Sequence, residues 1–573
     1  MNQSYLQIVW EQFKKNKLGL IALITLAIFF LVGLYAPFLA SSKPSFLLWN
    51  KKLYFPLFSY LFYSGFYTKP IDLFFNLLMF TAPAFLLGAC LFKNPLKKYF
   101  LTVVLGLQVG LFVFFGFFKG IKDPASDPKL KQARFEALEK GTSFREDPLL
   151  SSLPLQTNWA FELQYMTPYE QLNHLLRHRQ KQAQQKHLAP YISRYEENTH
   201  LPAPSLLNIE NRNEVARRIQ LKTILKNIEE KYQEGLNTLP QLMADYRPFS
   251  HLLIMAKYDL EHAPESDRLQ AEKWYRKVLQ EASPFQKPLE KVRQVILQHH
   301  ETTSELNYLE ERKQWLESEA QKLIVIIPPF IRPFHWEEDA GGAPAINQFV
   351  PWWELTRVNR KDLVASLIFG IRVSMIVGFT AIGLSLLIGL PLGMIAGYFG
   401  GKADLFICRL IEVWEAMPTF FMLLLVIAIT QSKSILLVII VLALFGWTNF
   451  ARFIRAEMLK QRNLPYVLAT KSLGFGESRI MFSHILPNAI PPILTLIPFA
   501  MMAAITSEAG LSFLGLGEEG STSWGVLMDE GRSVFPSESY LLWPPAILLT
   551  ILLVCIALVG DVIRDAIDPK MRG

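Results

Sequence analysis

Six basic side chains, Arg452, Arg455, Lys460, Arg462, Lys471 and Arg479, crowd the run RFIRAEMLKQRNLPYVLATKSLGFGESRIMFSHILPN, residues 452–488, between two apolar segments. The chemistry such a run offers is electrostatic and mechanical. Tyr466 to Leu473 has room for two helical turns, and Gly474 and Gly476 then permit a sharp redirection of the backbone. A short helix on a hinge beside a membrane is what a docking partner grips. Other candidate chemistries are weaker. Gly401-Lys402-Ala403 is the nearest approach to a phosphate-binding loop, but it lacks the leading glycine and the hydroxyl residue that G-x-x-x-x-G-K-[ST] requires. The chain is therefore expected to hydrolyse no ATP by itself. His299-His300-Glu301 has metal-ligating residue types, yet on a charged amphipathic helix it reads as a solvated face. Cys90, Cys408 and Cys555 all fall in apolar segments and offer neither a disulfide framework nor zinc spacing.

The elements that must position this run are membrane spans. Hydrophobic residues make up 51% of the 573 residues and mean hydropathy is +0.21, while the charged fraction of 19% calls for one sizeable polar region. The formal charge of +8 is accounted for by lysines and arginines at the ends of spans, and no nucleic-acid partner is expected. Eight stretches approach the length of about 20 apolar residues that crosses a bilayer: 18–39, 71–92, 99–118, 366–396, 417–430, 435–450, 489–505 and 541–559. The fifth and sixth are short and need extension past Glu415 or Lys433. The first is too long for a cleavable signal and no small-residue cleavage site follows it. Lys14, Lys15 and Lys17, then Lys93, Lys97 and Lys98, then Lys402 and Arg409, the basic run, and Arg564, Lys570 and Arg572 alternate consistently as cytoplasmic. Glu508, Glu518, Glu519, Asp529, Glu530 and Glu538 against Arg532 alone mark 508–538 as external. Both termini are then expected in the cytoplasm.

The expected fold class is all-α: a polytopic helical membrane protein with a helical extracytoplasmic insert. Four segments are expected: 1–60 with the first span, 61–120 with two additional spans, the insert 121–350, and a membrane domain 351–573. Within the insert, Val215, Ile219, Ile224, Ile228 and Tyr232 form a helical stripe with Asn213 as N-cap and Gly235 as stop. Ser266 caps a second pattern through Trp274, Tyr275 and Leu279 that Pro284 ends, and a third runs from Leu289 to about Ile326. A spacer or docking element is expected there, with a ligand-binding domain as the alternative.

Several ordered runs resemble the inner-membrane permeases of dipeptide and oligopeptide ABC importers: FGIRVSMIVGF, GLPLGMIAGYFGGKAD, YVLATKSLGFGESRIMFSHILPN, SEAGLSFLGLG and DVIRDAIDPKMR. The N-terminal FKKNKLGLIALITLAIFFLVGLYAPFLA is similar to the first span of their C-type subunit. SSKP and KKLYFPLF resemble the subgroup importing microcin C-like peptides. The basic run looks like the EAA coupling loop of these permeases, with Leu468, Ala469 and Thr470 as the small-residue triplet, Gly474 as the glycine and Leu486-Pro487 as the closing pair. Leu468 replaces the acidic residue that often opens the triplet. Residues 355–362, LTRVNRKD, keep only Asp362 of the family's GTDDxGRD pattern, and 71–323 has no counterpart. The resemblance implies a sister permease in a heterodimer, two cytoplasmic ATPase subunits that hold ATP and magnesium, an extracytoplasmic solute-binding protein and a peptide substrate. It implies no cofactor on this chain and a place in the bacterial cytoplasmic membrane.

A permease core needs helices that pack closely and slide. Ala381, Ser385, Gly389, Gly393 and Gly397 recur every fourth residue as a small-residue stripe. It is a seam with the partner subunit or pore, or a static seam within the subunit. Ser507 to Gly517, with Glu508, Gly510, Ser512, Gly515 and Gly517, is expected to form an external re-entrant gate segment. Arg372 reads as a snorkelling anchor in preference to a substrate contact. Glu412 and Glu415 flank the fifth span, and either can pair with the basic run. Two other functions fit the composition: a secondary transporter, for which paired interrupted half-repeats are missing, and a non-transporting envelope scaffold built on the insert.

Overall fold

The computed structural model describes residues 5–567 except 94, 119–120, 140–146, 203–208, 338–345, 347, 355–360 and 536–540. Most of the LTRVNRKD run, together with Glu538, Lys570 and Arg572, lies outside the described residues.

The chain opens with α1 (Tyr5–Lys15), α2 (Lys17–Leu34) and α3 (Ala36–Leu39). Asn16 starts α2 by accepting the Gly19 amide at 3.1 Å, which satisfies one of the orphan amides at a helix start. A hairpin of β1 (Phe46–Trp49) and β2 (Lys52–Tyr54) and the short α4 (Pro56–Tyr60) lead into α5 (Pro70–Leu91) and α6 (Leu96–Val113). The insert holds α7 (Pro128–Glu139), α8 (Trp159–Gln164), α9 (Pro168–Thr199), α10 (Ile209–His262), α11 (Arg268–Gln321) and β3 (Leu323–Ile327). The membrane domain follows as α12 (Leu363–Phe399), α13 (Gly401–Glu415), α14 (Thr419–Thr430), α15 (Ile435–Gln461), α16 (Pro465–Ser472) and α17 (Glu477–Arg479). It ends with α18 (Leu486–Leu494), α19 (Ile497–Leu511), α20 (Trp524–Ser533) and α21 (Trp543–Ile567).

Seven of the described helices are long and apolar enough to cross a membrane, and α13 with α14, bent by 72°, makes an eighth crossing if counted as one. The helical class agrees with the sequence reading, and the span count does so when the bent pair is taken as one crossing; the seventh expected span, 489–505, is instead the helical stretch Ile497–Leu516. Taken as one crossing, α13 and α14 carry the fifth span past Glu415. The sixth instead starts at Ser434, whose hydroxyl accepts the Leu436 amide, and gains its length at the far end through Arg452 and Arg455. Asp362 caps α12 through the Ala365 amide at 2.8 Å, and Gly400 and Gly401, both at positive φ, turn the chain into α13.

Three insert boundaries are corrected. Gly235 does not stop α10, which runs on to His262, and the Asn213 side chain lies outside the described residues. Gly235 faces the neighbouring helix: a Cβ there would come within 3.2 Å of Val292. Nor does Pro284 end α11, which continues through Pro288 to Gln321. Ala282 and Leu289, on either side of the prolines, are buried against Tyr246 of α10. Packing along a 54-residue helix pair, about 80 Å long at 1.5 Å per residue, overrides the local breakers. His299 belongs to the same seam, its ring stacked 3.6 Å from Tyr232, so it is less solvated than its charged neighbours suggest. Finally, the predicted helix to Ile326 yields at Lys322 to β3, which pairs antiparallel with β1 to give a sheet of order β2-β1-β3. This sheet joins the N-terminal segment to the end of the insert. Its Leu47 and Trp49 pack on Leu172, Leu175 and Leu176 of α9.

Candidate functional site: the basic loop, the seam and the gate

Most of the loop's cations are used within the chain. Arg452 pairs with Glu415, and Arg455 places Nη2 2.8 Å from Asp404 Oδ2, so both staple α15 to α13. Arg462 donates to the terminal carbonyls of α12 at Gly397 (3.2 Å) and Tyr398 (3.4 Å), a favourable place for a cation at a helix C-terminus. Lys471 lies 4.7 Å from the Tyr398 ring centroid, and Arg479 lies at the same distance from that of Phe475. Of the two acids expected to meet the run, Glu415 does so, while Glu412 pairs with Arg409.

The loop offers a partner an apolar knuckle. Pro465 starts α16 at a position that needs no amide hydrogen. Val467 is fully buried among Phe450, Ile454, Met458 and Ile485, which fixes the helix to the end of α15. Tyr466 donates to Gln461 at 2.6 Å, Thr470 donates to the Val467 carbonyl at 2.8 Å, and Tyr398 donates to Glu477. The helix ends at Gly474, φ +76°, with the Gly474 amide on Lys471 O (2.9 Å) and the Phe475 amide on Thr470 O (3.3 Å). This paired closure needs a left-handed residue. Gly476, at φ −63°, does not share that need, so the expected two-glycine hinge reduces to one. Leu468 and Leu473 are 52% and 75% exposed, and Ala469, Lys471, Gly474, Gly476 and Pro487 are also exposed, whereas Leu486 is half-buried.

The small-residue stripe faces α15 of the same chain, which corrects the reading as a seam with a partner or pore. A Cβ at Gly389 would come within 2.6 Å of Trp447 O. At Gly393 it would lie 2.4 Å from Ala451 O, and at Gly397 2.5 Å from Arg455 O. Ser385 donates to Ala443 O at 3.3 Å, and Ala381 packs with Val438, Ile439 and Leu442. Backbone meets backbone at the three glycines, so those positions exclude a side chain.

At the opposite end, the gate segment is more helical than expected. Ser507 to Leu511 complete α19, a π-turn spans Ser512–Leu516, and Gly515 at φ +78° reverses the chain before α20 returns. Glu508 is buried and accepts the hydroxyls of Ser512 (2.7 Å) and Ser523 (2.6 Å), fastening the two arms together. Gly517 sits where a Cβ would meet Ser512 and Val526, whereas Gly510 has open space beside it and is not demanded by packing. Trp524, fully buried, donates to Leu367 O of α12 at 3.0 Å. Lys69 donates to Glu519 O at 2.7 Å and Lys433 to Gly515 O at 3.0 Å, tying the turn to α5 and to the start of α15.

Arg372 fits neither sequence reading. It is fully buried and joins three helices. Nε donates to Gly33 O of α2 (2.7 Å), Nη1 to Asp72 (2.8 Å) and Nη2 to Asn76 (3.0 Å), both on α5. The rings of Phe369 and Phe75 lie 4.9 and 5.4 Å from the guanidinium carbon. A lone cation at this depth is costly; Asp72 neutralises it. Sequence reasoning missed Asp72, Asn76, Lys69 and Tyr398, although an acid opening an otherwise apolar stretch was a visible signal.

Residues 389–573 match the model of the binding-protein-dependent transport system inner membrane component, and residues 4–56 match the N-terminal TM domain of oligopeptide transport permease C. The chain is 39% identical over 219 residues to the peptidoglycan transport system permease YejE of Agrobacterium fabrum, covering 38% of this chain and 57% of that one. It is 36% identical over 256 residues to the oligopeptide permease OppC of Bacillus subtilis, covering 44% and 83%. With the dipeptide permease DppC of Haemophilus influenzae it shares 32% over 259 residues, covering 44% and 87%. The chain thus spans less than two thirds of the first relative. α5, α6 and the insert lie outside both matched models.

Proposed function

We propose a function from one premise: the chain belongs to the family of binding-protein-dependent transport system inner membrane components, and is a multi-pass membrane protein. It acts as a transmembrane subunit of an ATP-driven importer of peptides. The permease relatives named for oligopeptides, dipeptides and peptidoglycan support that cargo class. The observation that carries the reading is the α16 knuckle, whose base is locked by Val467 and whose tip carries exposed Leu468 and Leu473. Two ATPase subunits grip this tip, bind ATP and magnesium and perform the hydrolysis; the chain itself is no enzyme and binds no cofactor. Their closure moves α16 as a lever. The close backbone contact of α12 with α15 transmits the motion as a rigid pair to the gate turn at Glu508–Ser523.

The distribution of lysines and arginines supports cytoplasmic termini and a cytoplasmic knuckle, with the gate turn and insert outside. A sister permease completes the pore, and an external solute-binding protein delivers the peptide. Purification of the tagged chain in mild detergent tests the assembly. Two ATPases and a second permease are expected in the complex; recovery of envelope proteins alone would refute the transport reading.

A further inference from the structure

We infer that the open face of the β2-β1-β3 sheet lies in the lipid head-group layer, as a membrane-surface anchor for the base of the insert. Antiparallel register puts Leu48 opposite both Leu53 and Val325, and Phe46 opposite Ile327. Paired residues of an antiparallel sheet share a face, so these five side chains form one side of the sheet. All five are apolar, and Leu53, Val325 and Ile327 are 53%, 42% and 39% exposed. The other side is already filled by α9. An antiparallel sheet with one face in water alternates apolar inward and polar outward; here the open face is apolar too.

The surroundings select lipid as the occupant. α2 carries exposed Ile24, Ile28 and Leu31 up to its end at Leu34, the lipid-facing stripe of a span. Four and five residues later, the carbonyls of Phe38 and Leu39 accept the amides of Phe330 (3.0 Å) and Ile331 (2.9 Å), so the chain just beyond β3 is bonded to the chain just beyond the span. Phe330 is 81% exposed. Phe58 packs its ring 5.7 Å from that of Phe38. Exposed apolar side chains thus lie both along the end of the span and on the segments bonded just beyond it, where aromatic rings collect at a membrane surface. Lys51, exposed in the β1-β2 turn, supplies positive charge that anionic head groups attract. An anchored sheet would fix the base of the long α10-α11 hairpin at the bilayer surface.

The test uses the full chain, with its native cysteines replaced, in nanodiscs containing phosphatidylglycerol and a lipid spin-labelled near the head of its acyl chain. Leu53→Cys and Val325→Cys, on different strands, each carry a bimane fluorophore; Gln280→Cys on the hairpin is the aqueous control. Interfacial segments sit about 5–10 Å into the head-group boundary, so both sheet positions are expected to be quenched about twofold or more, with Gln280 unaffected. Sheet labels as unquenched by lipid and as open to aqueous iodide as Gln280 would overturn the proposal. So would labels shielded from both quenchers, the signature of a protein partner covering the face.

Discussion

Removing Asp72 should destabilise the packing of α12 on α2 and α5 more than removing the neutral acceptor Asn76 beside it. In Asp72→Ala the Arg372 guanidinium stays fully buried with its Gly33 and Asn76 contacts but without its counter-charge. Breaking a buried ion pair from one side costs about 3–5 kcal/mol. Asn76→Ala keeps the counter-charge and removes one charge-assisted bond, about 1.5–3 kcal/mol, together with the Asn76 bond to Leu61 O, so it should cost less than Asp72→Ala. Asp72→Asn keeps an acceptor for Nη1 but leaves the charge uncompensated and should fall between. The double variant Asp72→Leu, Arg372→Met removes both charges and should recover most of the loss, because an apolar pair often replaces a buried ion pair at little cost. Reversible unfolding in mixed micelles, read by loss of helix signal, gives each difference. Asp72→Ala within about 0.5 kcal/mol of the parent, the usual scatter for a surface substitution, would refute the clamp. Equal losses in Asp72→Ala and Asn76→Ala would do the same.

Gly474→Val forces a branched side chain into the left-handed region, a penalty of roughly 1–2 kcal/mol; peptide uptake and substrate-stimulated ATPase activity should fall together while membrane insertion is retained. Glu508→Ala removes the acceptor of two hydroxyls and should cost about 2 kcal/mol in thermal unfolding, at about 1 kcal/mol per bond, with Glu508→Gln recovering most of it. Glu337, outside the spans and bonded to Thr68, has its carboxyl pushed up to about 7, chiefly by burial and then by Asp72, against the pull of Lys69 and Lys361. A raised carboxyl favours the folded state below its ordinary range, and that stability is lost as pH rises through about 7. Stability should therefore decline between the usual carboxylate range and neutrality, and Glu337→Gln should flatten the profile.

The spans were legible because each needs only length and apolarity, and the alternation of Lys and Arg clusters is written locally. The turn that closes the short helix of the basic run was legible at Gly474, where the Schellman closure needs a left-handed residue. What sequence could not supply was pairing between distant segments. Arg372 and Asp72 are 300 residues apart, and each alone looks like a helix-end charge. β3 continues an apolar helical pattern and becomes a strand because β1 offers it an edge. Gly235 and Pro284 carry stop signals that hold for isolated helices, and the long α10-α11 seam overrules them. The stripe from Ala381 to Gly397 was correct as a close-packing surface, but small residues do not say which helix approaches.

Coupling requires the α16 tip to meet a separate ATPase. Leu473→Cys, the most exposed apolar position on that tip, should cross-link in intact membranes to a co-expressed ATPase subunit and change its yield when ATP is supplied. Labelling of that cysteine by a membrane-impermeant reagent applied outside whole cells would contradict the account.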